Sequence, residues 1–192
     1  GLIAAKKFVN TKYDVLLIEH DSFLGGVIKN TNKIETIDEI DKIEWLKNIE
    51  KLIANSKNIK ILKNTLVTTY NFSDSLIALE DKFVGESPKI HRPELTLHKI
   101  RTKQTILANG HIERFISFRN NDLPGIMLAG SFEKYIHRYG VVPNIKPVIF
   151  TNNSSSSSLI KSLISLNCIP SAYVDIREKK YVEKQTLKFL SD

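Results

Sequence analysis

Residues 15–26 read VLLIEHDSFLGG, and this stretch decides the fold. Val15, Leu16, Leu17 and Ile18 form a short apolar run of strand-forming residues that stops at an acid, Glu19. A continuous apolar run of this length reads as a strand buried on both faces, as in a parallel sheet. An acid at the carboxyl end of such a strand faces the crevice in which open α/β sheets take their ligands. A carboxylate there can accept hydrogen bonds from both hydroxyls of a ribose. Gly25 and Gly26 let the backbone turn tightly and approach whatever lies in that crevice.

The residues before it support this reading. The chain opens GLIAAKKFV, with Leu2, Ala5 and Val9 on one helical face and Ile3 and Phe8 flanking it. Gly1 stands directly before this helix and Glu19 follows eighteen positions later. That spacing matches the last glycine of a G-x-G-x-x-G turn and the ribose-binding acid about 20 residues beyond it. The first strand and first two glycines of such a motif do not occur here, and the chain begins without methionine. The expectation is an internal fragment of a longer protein, cut within its dinucleotide fingerprint. The plainer alternative is that Glu19 merely ends a strand and Gly25-Gly26 is an ordinary loop.

At 192 residues, 42% hydrophobic and 26% charged, the chain suits a globular fold of one domain or one and a half. No apolar stretch approaches the ~18 residues of a membrane span, so no membrane role is expected. The single cysteine, Cys168, allows no disulfide framework or CxxC metal site and reads as a small core residue. A reducing, cytoplasmic location is the simplest expectation. The net charge of +7 raises the question of nucleic acid. The lysines, however, are interspersed with acids, as in IDEIDKIEWLKNIEKL, and no clustered basic patch appears. No nucleic-acid partner is expected.

Further along, Thr36 or Asp38 can cap a helix that runs to about Ser56, with Ile40, Ile43, Leu46, Ile49, Leu52 and Ile53 as its apolar stripe and Trp45 beside it. Residues 59–62 read as another parallel strand. Residues 65–70, 75–79 and 95–100 read as a small antiparallel meander, with turns at 71–74 and a loop at 81–93. His91 and His98 read as surface histidines, with no acidic or cysteine partner at metal-ligand spacing.

The second informative stretch is KQTILANGHIER, residues 103–114. Thr105, Ile106, Leu107 and Ala108 predict a buried strand. Its ending in Ala108-Asn109-Gly110 would let the backbone come close to a cofactor. His111 with Glu113 could do acid–base work, but a role in tying down the loop is the favoured reading. Beyond a turn at Asn121–Gly125, Ser131 can cap a helix that Gly140 ends. Pro147-Val148-Ile149-Phe150, a serine-rich turn, a helix at 159–166 and Ala172-Tyr173-Val174-Asp175 then form a second β–turn–α–β unit ending in an acid. It is a cruder copy of the first, with Asn and Ser where glycines would approach a pyrophosphate.

With these residues assembled, the chain resembles the two-dinucleotide-binding-domain flavoprotein superfamily, and within it the alpha subunits of heterotetrameric sarcosine oxidase. The stretches that carry the resemblance are VLLIEHDSFLGG (15–26), QTILANGHIER (104–114), NDLPGIMLA (121–129), YIHRYGVVP (135–143) and VIFTNN (148–153). A weaker similarity extends to the alpha subunits of dye-linked proline dehydrogenase, opine oxidase and hydrogen cyanide synthase. The resemblance implies an α/β fold: a Rossmann-type parallel sheet with a small meander over residues 1–118, and the start of a second, inserted dinucleotide-binding-like domain over residues 119–192.

It also implies a site. Gly1 would close the glycine turn and Glu19 would bind ribose, with His20 and Asp21 lining the adenosine. Gly25, Gly26 and Val27 would lie near the phosphates and adenosine, Val67 would contact adenine, and Ala108, Asn109 and Gly110 would form the strand end facing the cofactor. The implied cofactor of this domain is NAD, with FAD as the alternative. FMN and FAD would lie elsewhere in a complex with beta, gamma and delta subunits, where a small amine, sarcosine, is oxidised. The sequence departs from the family pattern at Glu19-His20-Asp21 (usually Asp-Glu-Arg), Asn109 (usually Thr), Phe115 (usually Pro) and Val27 (commonly a hydroxyl residue). The alternatives are a stand-alone FAD/NAD(P)H-dependent reductase, or a scaffold subunit with a vestigial nucleotide site. No catalytic or metal residue is assigned.

Overall fold

The computed structural model describes residues 1–30, 36–71, 74–82, 95–142 and 144–178. The chain divides into two compact units, Gly1–Gly26 with Lys42–Gly110, and Val27–Asp41 with His111–Asp192.

The first unit is built on the predicted apolar run. Helix α1 (Leu2–Lys7) leads to strand β1 (Val15–Ile18), and helix α2 (Lys42–Ala54) to strand β4 (Ile59–Leu62). β1 and β4 pair in parallel, Val15 opposite Ile59 through Ile18 opposite Leu62. Parallel neighbours need a crossover, and α2 supplies the helix that returns the chain to β4. Its buried side chains, Trp45, Leu46, Ile49 and Ile53, repeat at helical spacing. Leu46 is 1% exposed and Ile53 fully buried, each worth about 1.5–3 kcal/mol of burial. Trp45 is thus a core residue, as its place beside the stripe predicts.

The helix begins later than the sequence suggests. Thr36 and Asp38 precede its first residue, Lys42, by several positions, because Thr36–Ile37 (β2) and Ile40–Asp41 (β3) close a two-residue antiparallel hairpin in the second unit. Asp38 and Glu39 both take positive φ, 51° and 65°, the conformation that two-residue hairpin turns require. Ile40 therefore leaves the helical stripe and is exposed.

The amino ends of β1 and β4 are fastened by one side chain, Asn58. Its amide nitrogen donates to the carbonyls of Phe8 and Tyr13 at 2.8 and 2.6 Å. Its oxygen accepts from the Asn10 backbone N–H at 3.1 Å and the Ser56 hydroxyl at 2.6 Å. Val15 N–H then donates to the Asn58 carbonyl at 2.8 Å, the first bond of the ladder.

Two expectations for this unit are corrected. β1 is half-buried at all four positions rather than buried on both faces. The predicted strand at 105–108 does not form: residues 102–118 carry no regular element, and Ile106 and Leu107 are 61% and 76% exposed. A strand exists only through a partner ladder that satisfies its backbone groups. Among the described residues β1 pairs with β4 alone, and no backbone offers residues 105–108 a ladder.

The meander forms as predicted, from β5 (Thr65–Asn71), β6 (Ser75–Asp81) and β7 (Leu95–Arg101), antiparallel in that order. Leu66, Leu79 and Leu97 stand opposite one another across its three strands. The ladder slips between Val67 and Thr69, so one extra residue, Thr68, bulges there. Its turn at Asn71–Asp74 lies partly outside the described residues, as does most of the 81–93 loop with His91. His98 has an acidic neighbour that spacing along the chain hides: Glu80, on the adjacent strand, lies 2.8 Å away.

In the second unit, α3 (Ala129–Tyr139), β8 (Val148–Thr151), α4 (Ser156–Ser165) and β9 (Ala172–Asp175) make the second crossover, with β8 and β9 parallel. Ile136, Ile149, Leu159, Ile160 and Leu163 form its core, and Cys168 packs at its margin. α3 starts two residues before Ser131, at an N-cap Leu128 that has no capping side chain. Gly140 ends it in the left-handed conformation, φ 65°, as predicted. The serine run is helical from Ser156 on.

Replacing Asn58 by Ala should destabilise the protein by about 1–3 kcal/mol, since four hydrogen bonds end on this one side chain. Asn58→Asp should be no better, because it turns two donors into acceptors facing carbonyls. Urea unfolding should show the midpoint falling at unchanged slope; an unchanged midpoint in both variants would remove Asn58 from its place in the fold.

Candidate functional site

The site implied by the sequence collects at the carboxyl end of β1. Glu19 follows Ile18 there, and three backbone bonds fix it: Glu19 N–H donates to Leu62 O at 2.8 Å, Thr65 N–H to Glu19 O at 2.9 Å, and Asn64 N–H to Asp21 O at 3.1 Å. Asn64, at φ 52°, makes the sharp reversal between β4 and β5 that allows the last two. The Glu19 carboxylate accepts the Asp21 N–H through Oε1 at 3.0 Å. Its other oxygen, Oε2, takes no hydrogen bond among the described residues. The half-buried acid is held in orientation through one oxygen.

Gly1 lies against the same strand. A Cβ built on it would come 3.7 Å from Ala108 Cβ and 3.9 Å from Leu17 Cδ1. So Gly1, Leu17 and Ala108 meet, though residues 105–108 form no strand. Asn109 and Gly110 follow, both exposed, with Gly110 at φ 68° and nothing within 4 Å of a Cβ there. His20 is exposed and Asp21 half-buried beside Glu19.

The two loop glycines differ. Gly25 has φ 104°, and a Cβ on it would meet Leu46 Cδ2 at 2.6 Å; that leucine is buried and cannot swing aside. Gly26 has φ 50° with open space around it. Gly25 is thus required by packing against α2, whereas Gly26 leaves room at the surface. Two predicted residues are not shown in this cluster. Val67 sits on β5 opposite Ala78, 40% exposed. Val27 belongs to the other compact unit and is 64% exposed.

His111 and Glu113 do not form an acid–base pair. Glu113 Oε2 accepts the Gly130 N–H at 2.8 Å. It supplies from a distance the carboxylate cap that α3 lacks at Leu128, where it also complements the helix dipole.

The second unit ends in an acid, as the sequence suggests, but that acid is spoken for. The Asp175 side chain is 6% exposed. Arg177 donates to Oδ1 from its backbone N–H at 2.9 Å and from Nε at 3.0 Å, and to Oδ2 from Nη2 at 2.7 Å. Tyr173 OH adds a bond to Oδ2 at 3.3 Å, and Arg177 Nη1 reaches Ser154 Oγ at 3.2 Å. Both carboxylate oxygens are used, so Asp175 does not offer a ribose the free acceptor that Glu19 does. The spacing D-x-R was visible in the sequence and is what permits this bidentate lock.

Nearby, His137 Nε2 lies 2.9 Å from the Oγ of Ser162, which is fully buried and bonds back to Ser158 O. Nothing in the sequence pattern announces this pair, because its members lie on different helices. Burial holds the His137 imidazole below its ordinary value of 6.5. The Arg177 hydrogen bonds hold the Asp175 carboxyl below its ordinary value of 3.8, against desolvation acting the other way. Among the described residues no group of His, Cys, Asp and Glu could hold a metal ion, and no helix is long and apolar enough to cross a membrane.

A parallel β–α–β crossover with an acid at its strand end, an antiparallel meander and a second crossover define an α/β protein of the Rossmann type. The L-proline dehydrogenase of P. horikoshii shares this fold: it superposes with a TM-score of 0.65 over 92% of this chain and 33% of its own, at 21% identity. No family model matches the chain. The sarcosine oxidase alpha subunits of Corynebacterium sp. (strain U-96) and Rhizobium meliloti (strain 1021) are each 32% identical to it, over 93% and 92% of its length. The chain is thus similar to sarcosine oxidase alpha subunits over nearly all of its own length, and it spans 18% of the length of these relatives.

Two outcomes follow. Gly25→Ala should cost about 1–3 kcal/mol by overpacking and positive-φ strain, and Gly26→Ala distinctly less; equal melting temperatures for the two variants would contradict the packing argument. Stability should also depend on pH with a definite sign. Because the His137 value is lowered on folding, the unfolded chain binds more protons, and stability is lost as pH falls from just above 6.5 towards the lower folded value. The Asp175 contribution is complete above 3.8 and is lost at more acid pH, as its carboxylate protonates. His137→Gln should flatten the urea-midpoint profile in the first window and leave the second unchanged.

Proposed function

We propose that this chain is the dinucleotide-binding part of an amine-oxidising flavoenzyme complex of the sarcosine oxidase type, and that it binds NAD at the carboxyl end of β1. The observation that carries the proposal is the Glu19 carboxylate, fixed through Oε1 by the Asp21 N–H and presenting Oε2 at the strand end. In this reading Glu19 accepts the ribose hydroxyls, and Asp21 and His20 border the adenosine. Gly1, Ala108, Asn109 and Gly110 let the backbone approach the pyrophosphate, with Gly25 and Gly26 on the loop beside it and Val67 towards the adenine. These residues suit the group: the acceptor is oriented and spare, and the glycines at 26 and 110 have open space where a side chain would stand. An acid at the ribose position also disfavours a 2′-phosphate, which supports NAD over its phosphorylated form.

The chain contributes no catalytic residue in this reading. Bound there, NAD supplies a nicotinamide that can take up hydride. The small amine, most simply sarcosine, is oxidised at its CH–NH bond on FAD in the beta subunit, with FMN at the alpha–beta interface and gamma and delta as further partner subunits. The relatives' designation as alpha subunits supports a multi-subunit assembly. The cytoplasm is the proposed location.

The test is nucleotide binding by the full-length protein with its partners. Glu19→Ala should weaken NAD roughly 10–100-fold, the loss of hydrogen bonds to a charged acceptor, and Glu19→Gln should weaken it less. Calorimetric titration showing equal affinity in parent and Glu19→Ala would overturn the assignment.

A further inference from the structure

The strand end that the proposed site uses carries a chemical liability of its own. Asn109 is the one asparagine in the sequence that glycine follows. Both residues are exposed, in a stretch with no regular secondary structure. Neither makes a hydrogen bond to another described residue. Gly110 has no side chain to shield its nitrogen, and nothing lies within 4 Å of where a Cβ would be. Two other asparagines, Asn58 and Asn153, are restrained by contrast. Both ends of the Asn58 amide are bonded, and so are both ends of Asn153, through Ser155 N–H and Asn152 Oδ1.

We infer that Asn109-Gly110 is the chain's site of spontaneous deamidation, and that this conversion lowers its affinity for a dinucleotide. The backbone nitrogen of Gly110 attacks the side-chain carbonyl carbon of Asn109. A new C–N bond forms, the carbon–amide nitrogen bond breaks, and ammonia leaves, giving a succinimide. Water then opens the ring at either carbonyl, leaving aspartate or isoaspartate; no oxidant or reductant is involved. The attack needs a backbone nitrogen free of ladder bonds and a neighbour without a Cβ, and Gly110 meets both conditions. Each product puts a carboxylate where the pyrophosphate approaches the Ala108-Asn109-Gly110 turn, and isoaspartate also lengthens the backbone by one carbon. The second half of the inference rests on the proposed NAD site. A nucleotide lying over this turn would hold the backbone still and slow the reaction.

The experiment ages the full-length protein at mildly alkaline pH, with and without NAD, and maps deamidation by peptide mass. Binding of NAD to parent, Asn109→Asp and Asn109→Gln is measured in parallel. The inference expects Asn109 to convert before any other asparagine, with NAD slowing it. It expects Asn109→Asp to bind roughly tenfold more weakly than the parent, and Asn109→Gln not to age at that position. An Asn109 that persists while other asparagines convert overturns the site assignment, whether or not NAD binds. Equal affinity of Asn109→Asp and parent overturns the coupling. A parent that binds no NAD overturns the coupling and the proposed function together, while the mass map still decides the site.

Discussion

The parallel pairing of β1 with β4 is the constraint on which the rest of the first unit depends. Parallel strands cannot be joined by a tight turn, so the pairing requires a covering helix and a secure join at each end. α2 provides the cover by burying Trp45, Leu46, Ile49 and Ile53. At the amino end, Asn58 gathers the carbonyls of Phe8 and Tyr13 and the N–H of Asn10. At the carboxyl end, Leu62, Asn64 and Thr65 bond to Glu19 and Asp21. The same bonds that finish the ladder therefore aim the acid, so fold and site are one arrangement seen from two sides.

Much of this was legible in the sequence because it follows from local pattern. The apolar run ending at Glu19, the helical stripe of α2, the alternation along β7 and the glycine after α3 each carry a period or a stop signal that survives without tertiary context. What failed to read through depends on partners. Residues 105–108 have the composition of a buried strand, but composition cannot supply a ladder, and they carry no regular element, with Ile106, Leu107 and Ala108 exposed. The start of α2 was misjudged because Ile40 fits both a helical stripe and the hairpin that claims it. Asn58, the His137–Ser162 pair and the Glu113 cap on α3 were invisible for a plainer reason. Their partners lie 17 to 50 residues away in the chain, beyond any spacing rule.

The two crossovers show how one topology takes two chemical states. Each carries an acid at a strand end: Glu19 just after β1, the first strand of its crossover, and Asp175 at the end of β9, the second strand of its own. At Glu19 one oxygen is tied to the adjacent backbone, and the other takes no hydrogen bond among the described residues. At Asp175 an arginine two residues on consumes both. A sequence scan for acid-ended strands scores them alike; only the geometry of the hydrogen bonds separates an acid that presents an acceptor from one that serves as a counter-ion. That distinction is why the proposed nucleotide site is assigned to the first unit and not to the second.

The most direct test of the account is to identify what the native protein carries. The full-length chain, purified with its partner subunits, would be denatured and the released small molecules identified by mass and absorbance. The account predicts NAD together with flavin and a co-purifying second subunit. Release of no dinucleotide would contradict it, and FAD alone from a single chain would replace it with a stand-alone flavin reductase.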